Sequence, residues 1–161
     1  MPRVDLTIPG EPKAKGRPRA TTIGNHARLY TPAKTARWES VIRAEAAPLF
    51  PEPIPAGVPV RVALVFWFAL PASQHRKREP VEAAWLPARE DWDNLGKLVC
   101  DALNGIAWVD DRQIVHSVVD KFRCGQLDNR PRTEVVIEWE GPPMHEGHAP
   151  AQANDATMGR M

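Results

Sequence analysis

The chain has 161 residues, of which 43% are hydrophobic and 25% charged, which suits one globular domain and is too short for two independent ones. The formal net charge of +1 hides an uneven distribution, because residues 1–78 carry a net charge of +8 and residues 79–161 carry −7. The longest apolar stretch, Val58–Leu70, is interrupted by Pro59 and Arg61 and falls short of the ~20 residues of a membrane-spanning helix. The N-terminus lacks the apolar core of a signal peptide, so we expect a cytoplasmic protein without contact to a membrane.

The first elements in chain order are a strand and a helix. Val4–Ile8 alternates apolar and polar residues and ends at a Pro-Gly turn, which predicts a short, half-buried strand. The Gly- and Pro-rich stretch 10–21 is expected to have no regular structure. Thr31 and Pro32 are typical of a helix N-cap and first helical position, and the helix is expected to end before Pro48.

The middle of the chain predicts a long strand, an exposed loop and a second helix. Val58–Leu70 is rich in β-branched and aromatic residues, which favours a central strand. Residues 71–90 concentrate proline and charge and are expected to form an exposed loop. A helix is predicted to start near Asp93, with its apolar residues on one face, and to stop at Asn104 and Gly105.

Two further strands, Gln113–Phe122 and Glu134–Trp139, are predicted and could pair as a hairpin. Beyond Gly141 the tail has no Ile, Leu, Val, Phe, Trp or Tyr, so we expect it to be disordered. The expected architecture is a small single-domain α+β fold over residues 1–140, with a mixed β-sheet and two main helices, followed by the tail 141–161. Cys100 and Cys124, which form no CxxC motif, are expected to be reduced thiols.

The segment DWDNLGK, residues 91–97, concentrates groups that suit a metal site. If Asp91 and Asp93 lie in an extended segment, both carboxylates point to one side, and Asp110 or Asp111 could add a third. Carboxylates, waters and a substrate phosphate are the usual ligands of Mg²⁺. On a helix, Lys97 would share a face with Asp93 and could contact a phosphate.

Simpler interpretations of these acidic residues stay open. Asp91 or Asp93 could be an ordinary helix N-cap, and Asp110 with Asp111 could form a turn. Asp93, Lys97 and Asp101 could form a ladder of salt bridges along a solvated helix face. A D-x-D pair by itself occurs in several unrelated classes of protein.

Two basic segments could contact nucleic acid. The side chains of the first alternate along a Gly- and Pro-rich loop, so that in an extended loop they would project toward a phosphate backbone; they are Lys13, Lys15, Arg17 and Arg19. The second segment is His75–Arg78. Either segment could instead be an ordinary solvated loop, and neither has interleaved aromatic residues of the kind that stack on single-stranded bases.

Taken together, these motifs resemble the RusA family of Holliday junction resolvases, which are endodeoxyribonucleases. The resemblance rests on four segments in the family's order and spacing: PKAKGRPRAT (12–21), YTP (30–32), DWDNLGKLVCDALNG (91–105) and VDDRQIV (109–115). Each motif is weak alone, but the combination is highly specific. Trp92 departs from the pattern, because its position is usually smaller or aliphatic, and we expect it to pack on the core side.

The resemblance implies a homodimer that binds four-way DNA junctions and cuts two strands symmetrically with Mg²⁺, for which Mn²⁺ can substitute. By the same resemblance, Asp91, Asp93 and Asp111 would bind metal, and Lys97 would be the catalytic lysine. Asp111 is preferred over Asp110 as the third ligand. Two other classes stay open: a non-catalytic protein that binds junctions or duplex DNA, and a metal-dependent enzyme acting on a nucleotide or sugar phosphate.

Overall fold

A five-stranded mixed sheet forms the centre of the molecule, with two helices on one of its faces. In the computed structural model, the described residues are 1–16 and 32–141, together with the backbone alone of 19–23 and 26–30. The strands are β1 (Arg3–Pro9), β2 (Arg19–Ile23), β3 (His26–Tyr30), β4 (Val60–Phe68), β5 (Ala84–Trp85), β6 (Ile114–Arg123) and β7 (Arg132–Trp139). The helices are α1 (Ala33–Ala46) and α2 (Trp92–Leu103), with short 3₁₀ turns at Ala47–Leu49, Ala72–Gln74 and Asp111–Gln113.

The order of strands in the main sheet is β1-β7-β4-β6-β5. β4 runs parallel to β6 and antiparallel to β7, and the remaining pairs are antiparallel. The chain between the parallel strands contains α2, as expected for a crossover connection, because parallel neighbours cannot be joined by a tight turn. The predicted α+β domain with a mixed sheet and two main helices is confirmed.

The hydrophobic core lies between the sheet and the two helices. β4 alternates buried and half-exposed residues along VRVALVFWF, so that Val62, Leu64 and Phe66 face the helices. α2 buries an apolar stripe against them that includes Leu95, Leu98, Val99, Ala102 and Leu103. This burial of one face of each element is the principal stabilising contribution to the fold.

Several local predictions are corrected by the structure. β6 and β7 do not form a hairpin, because β4 lies between them. The stretch 10–21, expected to be irregular, contains the start of β2, which pairs with β3. Pro32, the predicted first helical position, is instead the N-cap of α1, so the helix begins one residue later, at Ala33.

Other predictions are confirmed or fall outside the described residues. The loop 71–90 is largely exposed, although Ala84 and Trp85 pair with β6. Both cysteines are free thiols. Within the described ranges, no helix is long and apolar enough to cross a membrane. The tail from residue 142 onward, expected to be disordered, lies outside the described residues.

Candidate functional site

The first carboxylates of the DWDNLGK segment lie at the start of α2. Asp91 occupies the N-cap position with an extended backbone (φ −65°, ψ 135°), and its side chain makes no capping hydrogen bond. Asp93 lies in the first helical turn, as the predicted helix start implies, so the alternation of an extended segment does not apply to the pair. Both side chains are exposed, and neither takes part in a salt bridge among the described residues. An Asp at a helix N-cap that makes no cap is available for another ligand.

Trp92, between these two aspartates, does not pack on the core side as expected. Its side chain is 61% exposed. As the first residue of α2, it has no preceding helical turn beside it, and the sheet contacts the helix on the face that contains Gly96. The DWD motif therefore presents two carboxylates and one indole to solvent.

Lys121 fixes the chain that leads into Asp91. Its ammonium group donates hydrogen bonds to the carbonyl oxygens of Glu90 (2.8 Å) and Ala88 (3.2 Å). The carbonyl oxygen of Lys121 itself accepts from the backbone N–H of Leu86 at 3.0 Å. Lys121, on β6, therefore positions the end of the loop that directly precedes Asp91.

Lys97 lies on the exposed face of α2 and forms no salt bridge in the part of the chain that the structure describes. The proposed ladder of Asp93, Lys97 and Asp101 does not form, because Asp101 is paired with Lys15. The ammonium of Lys97 is thus not committed to either neighbouring carboxylate of its own helix face. This arrangement favours the functional interpretation of Lys97 over the ladder.

The N-terminal basic segment is docked against α2. The backbone N–H of Lys15 donates to the carbonyl of Asn94 at 3.1 Å, and that of Gly16 donates to the Thr35 hydroxyl at 3.1 Å. The Lys15 side chain pairs with Asp101 and is 28% exposed, whereas Lys13 is exposed. Lys15 is therefore paired, although the alternation of basic residues predicted a charge free to contact a phosphate. The side chains of Arg17 and Arg19 lie outside the described residues.

Asp110 and Asp111 follow Trp108, which forms isolated β-bridges with Ile54 and Asn104, and the two aspartates have different contacts. Asp110 caps the 3₁₀ turn: its carboxylate accepts from the backbone N–H of Arg112 at 2.9 Å and from the Arg112 guanidinium at 2.6 Å. These hydrogen bonds hold the pKa of Asp110 well below its usual range. Asp111, the first residue of that turn, is exposed and takes part in no salt bridge among the described residues.

Asp111 also lies near enough to α2 to influence Cys100. Burial, with smaller contributions from Asp101 and Asp111, raises the pKa of the Cys100 thiol to about 11. Cys100 is therefore protonated at neutral pH and suits neither a nucleophile nor a metal ligand.

Gln113 holds the Asp110–Asp111 turn in place from inside the protein. Its side-chain oxygen accepts from the backbone N–H groups of Val109 and Asp110, both at 3.0 Å. Its side-chain nitrogen donates to the carbonyl oxygens of Pro55 (2.7 Å) and Val58 (3.1 Å). Sequence reasoning assigned no role to this residue, although its position in the VDDRQIV motif was noted.

The donor chemistry of Asp91, Asp93 and Asp111 fits a hard divalent cation, since all three offer exposed carboxylate oxygens. Among the residues that the structure describes, no three His, Cys, Asp or Glu side chains lie close enough together to hold a metal ion jointly. A site with one or two carboxylates, waters and a substrate phosphate is nevertheless the usual arrangement for Mg²⁺. Asp91 and Asp93 fit such a site.

Comparison with known proteins agrees with the resemblance. The structure defines a small α+β domain with a mixed five-stranded sheet, two helices and exposed acidic and basic groups. The family model of endodeoxyribonuclease RusA matches residues 9–138, so the chain belongs to the RusA family of endodeoxyribonucleases. It is also 33% identical over 142 residues to YqaN of Bacillus subtilis (strain 168), an uncharacterized protein, covering 85% of this chain and 96% of that one.

Proposed function

We propose that this protein is a divalent-metal-dependent endonuclease that resolves four-way (Holliday) junctions by paired, symmetric strand cleavage. The observation that carries the proposal is the presentation of Asp91 and Asp93, exposed and without salt bridges among the described residues, at the start of α2 inside the region that matches the RusA family. A role in DNA recombination and repair, a phage or prophage origin and a cytoplasmic location belong to the same proposal.

In this proposal Asp91 and Asp93, with waters and a substrate phosphate, hold Mg²⁺, or Mn²⁺ in its place. Asp111 becomes the third carboxylate ligand when metal and DNA bind, since the three carboxylates do not form a joint site among the described residues. When bound, the ion supplies Lewis-acid activation of water and neutralisation of charge at the phosphate. Asp111 is preferred over Asp110 as the third ligand, because the Asp110 carboxylate is already hydrogen-bonded to Arg112. The Asp111 carboxylate forms no salt bridge among the described residues, although it interacts electrostatically with the Arg112 guanidinium.

Lys97 stabilises the negative charge that develops on the phosphate during hydrolysis. Its exposed ammonium is one helical turn beyond Asp93, and no carboxylate of the described residues neutralises it. Lys121 and Gln113 would not touch the substrate; they position the backbone before Asp91 and around Asp111. The expected products carry 5′-phosphate and 3′-hydroxyl ends and can be ligated directly.

The decisive experiment compares Asp91→Asn and Asp93→Asn with the unmodified protein on a synthetic four-way junction. We expect junction binding to be retained and Mg²⁺-dependent nicking to be lost in both variants, as in EDTA. Glu52→Gln, at an exposed carboxylate far from α2 in sequence, is the matched control and should cut normally. Retained cutting by the Asp variants would refute the assignment of the site.

The same assay separates the alternatives. A protein that binds junctions tightly but nicks none with either Mg²⁺ or Mn²⁺ would be the non-catalytic binding protein. Consumption of a small phosphate ester in preference to branched DNA would indicate the nucleotide or sugar-phosphate enzyme. Neither alternative explains both the acidic site and the basic segments.

A homodimer is part of the proposal because a two-fold junction requires two equivalent cuts, which a C2 dimer supplies. Sedimentation of the free protein and of its junction complex should give a mass of two chains. A monomer in both samples would contradict paired cleavage by one assembly.

A further inference from the structure

The second basic segment has a defined place in the fold. We define the basic tip as Arg76, Lys77 and Arg78; all three are exposed, and none forms a salt bridge with any described residue. Glu79 directly follows them and is also exposed, so the segment 76–79 has a net charge of about +2, which attracts anions. This charge is a reason to look for an anionic partner.

A single residue, Gln126, closes the loop that bears the tip. Its side-chain oxygen accepts from the N–H of Arg76 (2.8 Å) and of Val81 (3.3 Å), and its side-chain nitrogen donates to the Arg76 carbonyl (2.9 Å). Its backbone N–H donates to the Val81 carbonyl at 2.7 Å. These four hydrogen bonds fix both ends of the segment 76–81, so the three cations are held on a closed turn.

The residue before Gln126 allows the loop to approach closely. A Cβ atom added to Gly125 would lie 3.1 Å from the backbone nitrogen of Ala83 and 3.4 Å from the Val81 carbonyl oxygen. The loop is also fixed where it begins, since Asn129 exchanges two hydrogen bonds with the backbone of Leu70, at 2.7 and 2.9 Å. The tip is therefore preorganised, and little conformational entropy is lost when it binds a partner.

The chain connects this tip to the proposed catalytic site along one edge of the sheet. From Val81, opposite Gln126, the loop runs back antiparallel to β6: Ala84 pairs with Arg123 and Trp85 with Phe122. The next residue, Leu86, lies opposite Lys121, whose ammonium group donates a hydrogen bond to the carbonyl oxygen of Glu90, the residue before Asp91. Five residues of chain from Lys121 to Gln126 span at most about 18 Å. At 3.4 Å per nucleotide along one strand, about 18 Å corresponds to about five base pairs of duplex, and the Lys121 side chain at one end and the turn 76–81 at the other add about two more.

We propose that the basic tip contacts the phosphate backbone of the duplex arm that flanks the cut site, within about seven base pairs of the cut phosphate. The proposal rests on the proposed function, because it takes DNA as the substrate. Lysine and arginine contacts to phosphates are independent of base sequence and fix the register of a protein on the duplex. The tip would thus position one arm of the junction and would not act in the chemical step.

The test uses full-length protein with Asp91→Asn in every sample, so that binding is measured without cutting. The tip variant Arg76→Gln/Lys77→Gln/Arg78→Gln is compared with a control variant, Lys34→Gln/Arg37→Gln/Arg61→Gln, which removes the same charge from exposed positions of α1 and β4. Junction affinity is measured between 50 and 200 mM salt. We expect the tip variant to bind at least about tenfold more weakly at low salt, with a log–log salt slope reduced by about 2–3, since each phosphate contact contributes about 0.9.

A second arm of the test locates the contact on the DNA. Uncharged methylphosphonate linkages are placed three to seven nucleotides from the cut site. They should weaken binding of the protein with an intact tip and leave that of the tip variant nearly unchanged. Gln126→Ala, which keeps the three charges but opens the loop, should weaken binding by about threefold with the salt slope unchanged.

The outcomes distinguish this inference from the proposed function. If the protein with an intact tip binds junctions and the unmodified chain cuts them, but the tip variant matches the control variant in affinity and slope, the tip proposal is wrong and the nuclease proposal stands. Equal sensitivity of both proteins to the methylphosphonates would also overturn it. If the unmodified chain neither binds nor cuts junctions, the nuclease proposal fails and the tip proposal fails with it.

Discussion

The side-chain amide of Gln113 donates a hydrogen bond to the carbonyl oxygen of Pro55 at 2.7 Å, which joins the turn bearing Asp111 to the segment before β4. The same side chain accepts from the N–H groups of Val109 and Asp110. Gln113 is 7% exposed, so water cannot readily replace these partners if the amide is removed.

Replacement of Gln113 by Met should therefore destabilise the protein by about 2–4 kcal/mol, since each buried polar group left without a partner costs roughly 1–3 kcal/mol. Urea denaturation of the variant measures this difference in the free energy of unfolding. The control is Gln74→Met on an exposed 3₁₀ turn, for which we expect a change within about 0.5 kcal/mol. Equal stability of the two variants would mean that the Gln113 contacts are not important for the fold.

Asp110 and Asp111 should respond differently to the loss of charge. Asp111→Asn should abolish cutting while leaving the free energy of unfolding nearly unchanged, because its exposed side chain contributes no cap. Asp110→Asn should retain cutting, because Asn is an effective cap and the guanidinium of Arg112 is itself exposed. Nicking assays combined with thermal unfolding check both statements, and loss of cutting only in the Asp110 variant would reverse the assignment.

The sequence predicts an element well where one local pattern determines it. In β4 the alternation of apolar residues specifies which side chains are buried, and in α2 the apolar stripe does the same. The strand neighbours were not predictable in this way: alternation in β6 and β7 indicates strands but does not reveal that β4 lies between them. Pairing depends on the crossover through α2, which is a property of the whole chain.

The candidate site shows the same limit. Asp91, Asp93, Lys97 and Asp111 were found because they stand in recognisable motifs. Lys121 has no such motif, and its partners, the carbonyls of Ala88 and Glu90, are about thirty residues away in sequence. The exposure of Trp92 was predicted wrongly because helical periodicity gives little information at the first residue of a helix, where the contacts of a full turn are missing.

Lys121→Met should impair cutting more than binding. The variant loses the two hydrogen bonds that hold the chain before Asp91, so the carboxylate is less well positioned and the Mg²⁺ concentration for half-maximal cutting should rise several-fold. Junction affinity, measured in the presence of EDTA, should change less than twofold. Lys34→Met, at an exposed lysine of α1, is the matched control. An unchanged Mg²⁺ requirement would show that Lys121 does not position the site.

The pairing of Lys15 with Asp101 predicts that the two lysines of the N-terminal segment differ on DNA. Lys13→Ala should reduce the salt slope of junction binding by about 0.9, the value for one phosphate contact. Lys15→Ala should change the slope less, because its charge is already balanced by Asp101. The effect of Lys15→Ala should appear instead in the free energy of unfolding. A double-mutant cycle that combines Lys15→Ala with Asp101→Asn should give a coupling energy of about 0.5–1 kcal/mol. Equal slopes for both lysine variants, with no coupling, would contradict the docked arrangement.

Gly96 lies in the middle of α2, on the side that faces the sheet. A Cβ atom added there would lie 3.4 Å from Val119 Cγ2 and 3.6 Å from Leu64 Cδ1, which is ordinary van der Waals contact. Glycine in a helix interior costs roughly 0.8–1.0 kcal/mol relative to alanine. Gly96→Ala should therefore stabilise the protein by about 0.5–1 kcal/mol without moving the helix. Gly96→Val, whose two further methyl groups have no room against Val119 and Leu64, should destabilise it. Urea denaturation of the pair tests the packing distance directly: if alanine is also destabilising, α2 lies closer to the sheet than the structure shows.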